Sequence, residues 1–581
     1  MVEVAAATDR CRQLGLVPTA PPVATSTTAH IAAAPGIPFP AFHPTPTATP
    51  MVLSIKVTPE ATADNTADLP NPAGMTTSTK TDTDQTVDGA GSPARRTSSI
   101  AGMAIWDLGG RFANYFVLFG TSVILTRILS PEEFGSAAIV LTVIGLSAIF
   151  VDLGFRTAII QAKELSQEKL STVFYVNLFV ALLLVGVCFA ASGSVESFYE
   201  VEGLAAYINA ASAMFAINGV ALVPGGLLQR DLQLKSISII NTVAAMVSAA
   251  IAIGMAVSGY KVWALIVPQL VAAAVIASGY FYKSRWLPSV KFRLASIAEM
   301  WRFGVRMFAS GVADTVFTRL DVFIIGKMFP LQTLGYYNRA QSLDVFVRGI
   351  SASTTTSIAF PVIARMGDDD EAVRSFYLRC LNMIAFLSFL LTGVLFLTCF
   401  DIFVILYTEK WETAAYYFRL MAVVGFVYPL SALMVNLVAA RGRSDKFLKL
   451  ELLKKAVLIP TYVTFVFGGI YLFLAALAVA YLISLGLNAY FVKNEIGTSL
   501  SAQFSNIIGY AAAAVGSSAV VYVIGLAFEN IYIHLAVSTL LFAAVYFACC
   551  YAFRLAGFFE IFDRAVQIYN DKRHANVSSA A

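Results

Sequence analysis

The sequence predicts an all-α polytopic membrane protein with about fourteen transmembrane helices. Of its 581 residues, 58% are hydrophobic and only 13% are Asp, Glu, Lys or Arg, and the mean hydropathy is +0.72. Apolar runs recur from Ile105 to Phe553, and about 20 apolar residues are enough to span a bilayer as a helix. The predicted segments are 104–127, 134–160, 170–192, 203–224, 237–259, 262–282, 301–328, 334–364, 377–400, 414–439, 450–469, 470–492, 507–527 and 531–553.

Residues 1–97 have a different composition from the rest of the chain. Thr, Ala and Pro dominate, as in residues 44–50, so this stretch cannot bury enough apolar surface to fold. It lacks the charged start and apolar core of a signal peptide. We therefore expect a disordered cytoplasmic extension. The alternative interpretation is a translation start at Met51 or Met75.

Lysine and arginine are distributed unevenly between the predicted loops. The loops with even numbers, counted from the N-terminus, hold most of these residues, as in 283–293 and 441–449. The loops with odd numbers hold only Arg127, Lys261, Lys327 and Lys410. Because basic residues concentrate on the cytoplasmic side, this bias predicts that both termini, including the tail 557–581, are cytoplasmic.

An internal repeat divides the membrane part. Trp106–Gly135 and Trp301–Gly335 both place a cation, Arg127 or Lys327, eight residues before the final glycine, with a proline between. Further on, Tyr199 to Arg230 parallels Tyr407 to Arg441. These matches predict a six-helix bundle over 98–295, a second parallel bundle over 296–495 and two additional helices over 496–556. Parallel repeats around a central site recur in transporters.

Charged residues inside apolar segments concentrate in the second bundle. On the predicted seventh helix Arg306, Asp314 and Asp321 share one face, whereas Arg319 points away from it. On the eighth helix Asp344 and Arg348 lie one turn apart and are able to pair. Arg111, Asp152 and Arg339 are further charges in or next to apolar segments. One such charge costs about 2.5–3.5 kcal/mol at a helix centre, which indicates a water-filled substrate path.

These charges suggest two kinds of binding site. Arginine binds phosphate groups through its planar fork, and a carboxylate can hold Na⁺ or a proton. The predicted substrate-binding residues are Arg111, Arg306, Arg319, Arg339 and Arg348, and the predicted coupling-ion residues are Asp152, Asp314, Asp321 and Asp344. The alternative for each residue is a structural ion pair or a side chain that reaches the membrane surface.

Other residue types argue against catalysis. The chain has four histidines and six cysteines, and the cysteines show neither metal spacing nor a disulfide framework. A histidine base or a metal cluster inside the membrane is therefore not expected. We expect no enzyme activity, no metal, no cofactor other than a coupled Na⁺ or H⁺, and no nucleic-acid partner.

Several stretches resemble a known family. They are Leu129–Gly135 (LSPEEFG), Val151–Gln161 (VDLGFRTAIIQ), Val223–Lys235 (VPGGLLQRDLQLK), Val262–Leu270 (VWALIVPQL), Arg302–Asn338, Phe360–Asp368 (FPVIARMGD) and Ala440–Asp445 (ARGRSD). In these stretches the chain resembles the oligosaccharide flippases of the multidrug/oligosaccharidyl-lipid/polysaccharide exporter superfamily, in the branch that serves succinoglycan or colanic acid.

The resemblance implies two bundles, as in the multidrug exporters of this superfamily, facing a cationic cavity. It implies ion-coupled alternating access that moves an undecaprenyl-pyrophosphate-linked oligosaccharide across the bacterial inner membrane for exopolysaccharide or lipopolysaccharide biosynthesis. Expected partners are this lipid-linked oligosaccharide, membrane lipids, a polysaccharide polymerase and export machinery. The main alternative is a small-molecule or drug antiporter of the same fold. A membrane enzyme and a non-transporting scaffold are further alternatives.

Overall fold

The computed structural model describes residues 113–162, 164–297, 315, 319–367, 369–563 and 567. These residues form helices with short connections, and no strand occurs among them. The α-helices are α1 (Ala113–Ile128), α2 (Pro131–Asp152), α3 (Phe155–Gln161), α4 (Gln167–Tyr199), α5 (Leu204–Arg230), α6 (Leu234–Val257), α7 (Trp263–Ser284), α8 (319–328), α9 (Leu331–Met366), α10 (Asp370–Tyr407), α11 (Glu412–Ala422), α12 (Val427–Ala440), α13 (Ser444–Ile496), α14 (Leu500–Gly525), α15 (Ile531–Ala552) and α16 (556–563). Two 3₁₀-helices, Leu294–Ile297 and Glu409–Trp411, complete the set.

The helices confirm a multi-pass membrane protein. Eight of those described are individually long and apolar enough to cross a bilayer, namely α4, α5, α6, α7, α10, α13, α14 and α15. A ninth crossing arises if α11 and α12, which meet at a bend of 42°, form one broken span. All fourteen predicted segments contain helix in the described residues. The number of fourteen crossings is nevertheless not confirmed and stays a prediction.

Helix α13 folds back on itself where the sequence predicted a boundary between two segments. Gly468 and Gly469 leave the helical conformation, and Gly469 has φ 64° and ψ −158°, a region that is essentially restricted to glycine. The Nζ atom of Lys446, near the start of α13, lies 2.6 Å from Oε2 of Glu495, near the end of the same helix. The two arms are therefore antiparallel, and the Gly468-Gly469 pair makes the turn between them.

The repeat is visible as a close crossing of α2 and α9. We call residues 113–297 the first half and residues 315–496 the second half. Helix α2 begins with a capping box, in which Ser130 and Glu133 exchange hydrogen bonds between side chains and backbone, and α9 follows Pro330. A β-carbon on Gly135 would overlap the carbonyl oxygen of Leu331, and one on Gly335 would overlap that of Pro131. The crossing is reciprocal and requires glycine on both helices.

Among the described residues, the two halves share a hydrophobic cluster only at one end of the bundle. This cluster contains Phe134 and Tyr199 from the first half and Tyr337 and Trp411 from the second. We call the end of the bundle where α1, α4, α8 and α10 terminate the joined end. Away from it the first half has a cluster of its own around Phe155, and the second half packs separately with α14 and α15.

Arginines cap helices within each half at the end opposite the joined end. Arg230 Nη1 donates hydrogen bonds to the carbonyl oxygens of Ile159 (3.1 Å) and Ala162 (2.7 Å), at the end of α3. Its counterpart in the repeat, Arg441, donates to Gly367 at the end of α9 and pairs with Asp370. A cation at a helix C-terminus is stabilised by the helix dipole. Each half is therefore fastened within itself at this end.

Replacement of Gly335 by Ala tests the crossing. We expect Gly335→Ala to lower the free energy of unfolding by about 1–3 kcal/mol, because the added methyl group meets backbone that cannot move without separating the helices. Thermal unfolding of the purified protein measures the change. Gly145→Ala on α2 is the matched control, since nothing lies within 4 Å of that position. Equal stability of the two variants would contradict the crossing.

Candidate functional site

A cavity of about 350 Å³ lies between the two halves, next to the crossing of α2 and α9. Helices α1, α2, α6 and α7 supply most of its walls, and the second half contributes Arg319, Asn338, Arg339 and Ser342. The first half adds the polar groups Thr121, Ser122, Thr142, Ser248 and Gln269. Within the described lining there are two arginines and no carboxylate. The cavity is therefore suited to an anion that also carries hydroxyl or amide groups.

Arg339 occupies the boundary between the halves. Its side chain donates a hydrogen bond to the hydroxyl of Ser122 on α1, and the guanidinium carbon lies 4.8 Å from the ring centre of Phe134 on α2. On its own half it lies 5.4 Å from the ring centre of Tyr407. Arg339 is only 6% exposed, and its Nε has no hydrogen-bond partner among the described residues. A buried guanidinium with a free donor is equipped to bind an anion.

Arg319 and Asp321 point to different surroundings although they are two residues apart on α8. Arg319 is exposed and lines the cavity, whereas Asp321 is buried. The sequence predicted this divergence from the 100° helical step. Arg306 and Asp314, which the sequence predicts on the same helix face as Asp321, lie outside the described residues.

Asp321 is held by hydrogen-bond donors. The hydroxyl of Tyr337 donates at 2.5 Å, the side-chain amide of Gln341 at 2.9 Å and the backbone N–H of Val322 at 2.8 Å. Among the described residues no lysine or arginine nitrogen lies within 4 Å of this carboxylate. Because a buried ionised carboxylate without a counter-charge is costly, Asp321 is a candidate for proton or Na⁺ binding.

Asp344 and Arg348 pair with each other, as their spacing allowed. The Arg348 Nη2 to Asp344 Oδ2 distance is 2.6 Å. The guanidinium also lies 5.7 Å from the ring centre of Tyr428 and 5.2 Å from that of Tyr481. Both residues border a small pocket inside the second half, with Ser388 and Thr392, and neither lines the cavity between the halves. The structure therefore does not bring Arg348 together with Arg319 and Arg339.

The other four predicted site residues are Arg111, Asp152, Arg306 and Asp314. Arg111, Arg306 and Asp314 lie outside the described residues. Asp152 ends α2, but its side chain is not described. Of the nine predicted residues, the structure brings two to the cavity, places one in a separate hydrogen-bonded site and pairs two others.

Sequence reasoning missed two groups of polar contacts. Asp401 on α10 lies 2.5 Å from His534 on α15 and so connects the additional helices to the second half. Arg127, Lys327 and Lys410 make contacts between the halves at the joined end. The equal spacing of Arg127 and Lys327 from the repeat glycines was the signal that could have found the second group.

Comparison with known proteins gives a family match. A family model described as polysaccharide biosynthesis protein matches residues 124–416. The chain is 25% identical over 347 residues to the lipopolysaccharide biosynthesis protein WzxC of Escherichia coli strain K12, which covers 58% of this chain and 70% of that protein. It is 27% identical over 275 residues to the succinoglycan biosynthesis transport protein ExoT of Rhizobium meliloti strain 1021, covering 46% of this chain and 54% of that one.

A further relative and two solved structures agree with this match. The teichuronic acid biosynthesis protein TuaB of Bacillus subtilis strain 168 is 27% identical over 305 residues, covering 51% of this chain and 62% of that protein. The lipid II flippase MurJ in an inward closed conformation superimposes with a TM-score of 0.64 at 13% identity, covering 79% of this chain and 99% of that one. An inward-facing multidrug resistance MATE transporter gives a TM-score of 0.52 at 13% identity, covering 68% of this chain and 98% of that one. These two structures share the fold.

Unpairing Asp344 and Arg348 tests whether the pair is structural. We expect Arg348→Met or Asp344→Leu alone to lower the free energy of unfolding by about 3–5 kcal/mol, because either change leaves a buried charge without its partner. The double variant Asp344→Leu/Arg348→Met removes both charges and should recover most of this loss. Denaturation of the three purified variants measures the coupling. Additive losses in the double variant would show that the pair is not what stabilises this region.

Proposed function

The chain belongs to the polysaccharide biosynthesis protein family, and we propose that it moves lipid-linked oligosaccharides across a membrane. The observation that carries this proposal is the cationic cavity between the two halves, with Arg319 and Arg339 facing it from the second half. The names of WzxC, TuaB and ExoT connect those relatives with the biosynthesis of lipopolysaccharide, teichuronic acid and succinoglycan, and that of ExoT with transport. The matched regions cover only part of these relatives, so substrate and partners are assigned here by chemistry.

The cavity supports an undecaprenyl-pyrophosphate-linked oligosaccharide as the substrate. A pyrophosphate group presents paired oxygen acceptors, and the planar guanidinium groups of Arg319 and Arg339 can bind them through two parallel hydrogen bonds. Thr121, Asn338, Ser342 and Gln269 offer hydroxyl and amide groups for a sugar. Soluble cationic drugs, the substrates expected of an antiporter of this fold, would face like charge in this cavity. We therefore favour the lipid-linked substrate.

We propose the orientation in the membrane from the distribution of basic residues. The loops at the joined end carry few lysines and arginines, so we place this end on the outer side of the bacterial inner membrane, with both termini in the cytoplasm. The described arrangement then holds the halves together on the outer side, as needed for loading from the cytoplasmic leaflet. Export is proposed to serve exopolysaccharide or lipopolysaccharide biosynthesis, with a polymerase and export machinery as partners that use the product.

Asp321 is the proposed site of the coupled ion, a proton or Na⁺. Its carboxylate is buried and its three hydrogen-bond partners position it without neutralising it. Binding a cation there removes the cost of the buried charge. Asp344, by contrast, is already neutralised by Arg348, so we no longer favour it as a coupling site.

Transport measurements on the variant Arg319→Gln test whether a lipid-linked oligosaccharide is the substrate. We expect at least a tenfold loss of translocation of an undecaprenyl-pyrophosphate-linked oligosaccharide in proteoliposomes, because a hydrogen bond to a charged group contributes about 1.5–3 kcal/mol. The measurement is the fraction of labelled substrate that becomes accessible to an added glycosidase. Lys283→Gln, an exposed change at the end of α7 away from the cavity lining, is the matched control. Undiminished transport by Arg319→Gln, or cation antiport in place of lipid transport, would contradict the proposal.

Asp321→Asn tests the coupling site. We expect this variant to lose the acceleration of transport by an imposed proton or Na⁺ gradient, because a neutral amide has no charge for the ion to balance. Proteoliposomes with each gradient imposed separately identify the ion. Tyr337→Phe, which removes one donor but keeps the carboxylate, should retain a gradient response. A full response in Asp321→Asn would exclude Asp321 as the coupling residue.

A further inference from the structure

Four residues form a clasp between the halves at the joined end. Arg127 Nε donates to the carbonyl oxygen of Leu406 at 2.9 Å, and Arg127 also donates to Ile405, at the end of α10. Lys410 Nζ returns hydrogen bonds to the carbonyl oxygens of Arg127 (2.7 Å) and Leu129 (2.8 Å). Trp411 Nε1 donates to the carbonyl oxygen of Thr126 at 2.8 Å, and Lys327 Nζ donates to that of Phe198 at 2.6 Å. We call Arg127, Lys327, Lys410 and Trp411 the clasp.

The clasp uses unpaired carbonyl groups at helix ends. The last four carbonyls of a helix have no partner inside it, and the helix dipole makes this end attractive to cations. Arg127 of the first half binds the end of α10 in the second, while Lys327 of the second half binds the end of α4 in the first. These are equivalent positions of the repeat. The clasp is therefore a pseudo-symmetric exchange of helix caps.

The two sides of the clasp differ in strength. The side of Arg127 includes the fully buried Trp411, which also packs on Phe134 with ring centres 5.3 Å apart. On the other side, Lys327 and Glu200 pair at 2.9 Å with side chains 39% and 79% exposed, and such pairs contribute little. Both sides must release for the joined end to open, and the Arg127 side therefore presents the larger barrier.

Arg339 connects the cavity to this stronger side. The two rings against which its guanidinium packs both belong to the surroundings of the clasp. Phe134 packs on Trp411, and Tyr407 ends α10 directly after the carbonyls that Arg127 binds. Arg339 donates to the hydroxyl of Ser122, and Trp411 donates to the backbone carbonyl of Thr126, one helical turn further along α1. Arg339 thus forms the layer between the cavity and the clasp.

We propose that Arg339 couples the binding of a pyrophosphate-bearing lipid in the cavity to the opening of the clasp. A pyrophosphate gives the guanidinium charged acceptors in place of the hydroxyls of Ser122 and Tyr407 and the rings of Phe134 and Tyr407, so it draws Arg339 away from these neutral partners. The contacts between the halves beneath the clasp are then lost, and the outer side opens only when substrate is present. This inference rests on the proposed function, since it requires an anionic substrate in this cavity.

A distance measurement across the joined end tests the coupling. Spin labels at Tyr260→Cys and Glu529→Cys, two exposed positions at this end, are introduced in the full chain with its six native cysteines replaced, and the protein is placed in lipid nanodiscs. The probe is undecaprenyl pyrophosphate without sugar. We expect the lipid to shift the distance distribution of the otherwise unchanged chain to longer values. Bound lipid without any shift would overturn the coupling.

Variants separate the two roles of Arg339. Arg339→Gln should show the longer distances without lipid and bind the lipid at least tenfold more weakly. Arg319→Gln, the matched control in the same cavity, should weaken binding but leave the lipid-free distances unchanged. Arg127→Gln should open the joined end without lipid and bind the lipid at least as tightly as the unchanged chain, because coupling between two events is reciprocal.

Two further results distinguish failure of this inference from failure of the proposed function. Ser122→Ala removes only the acceptor, so it should produce a smaller shift of the same direction, even if Arg339→Gln does not fold. Unchanged lipid-free distances in both variants would overturn the role of Arg339 in the clasp. Failure of the unchanged chain to bind undecaprenyl pyrophosphate would overturn the proposed substrate. In that case the distances between the spin labels in the lipid-free variants would still show whether Arg339 holds the clasp closed.

Discussion

The arrangement of the two halves depends on the backbone contact between α2 and α9. Because lipid is as apolar as the helices, transmembrane helices associate through close packing rather than through the hydrophobic effect, and small residues permit the closest approach. Gly135 and Gly335 each receive a carbonyl oxygen from the start of the other helix. This contact places Phe134 beside Trp411 and Arg339 beside Ser122. The cavity and the clasp both follow from it.

The buried charges of the second half have three different environments, and the environments separate their roles. Asp344 and Arg348 form an ion pair that satisfies both charges within the second half, which is the arrangement of a structural pair. Asp321 lies among hydrogen-bond donors, and no lysine or arginine nitrogen of the described residues lies within 4 Å of its carboxyl group, which leaves room for an ion. Arg339 keeps a free donor at the cavity, which leaves room for an anion. Sequence spacing showed that Asp344 and Arg348 can pair, but it assigned both arginines to the substrate and both aspartates to the coupled ion.

The sequence was informative where a local pattern decides the structure. Hydropathy located the helices, the Gly468-Gly469 pair predicted the reversal in α13, and the 100° step separated Arg319 from Asp321. It was uninformative where a partner lies far along the chain. Nothing near Arg127 indicates that its acceptors are carbonyls almost 280 residues away, because every helix end presents such carbonyls. Helix α9 is not among the helices apolar enough to cross a bilayer, because it carries Asn338, Arg339 and Ser342 where it lies between the halves.

The two sets of helix caps provide a physical route between the two states of a transporter. Arg230 and Arg441 fasten helices within each half at the end opposite the joined end, so each half can move there as a unit. Arg127, Lys327 and Lys410 fasten helices of one half to the other, so these caps must change partners when the halves rock. Water can replace each cap as it is released, because the cations of the clasp lie near the surface. The buried Arg339 has no such substitute, and an anion in the cavity is the partner that makes its release favourable.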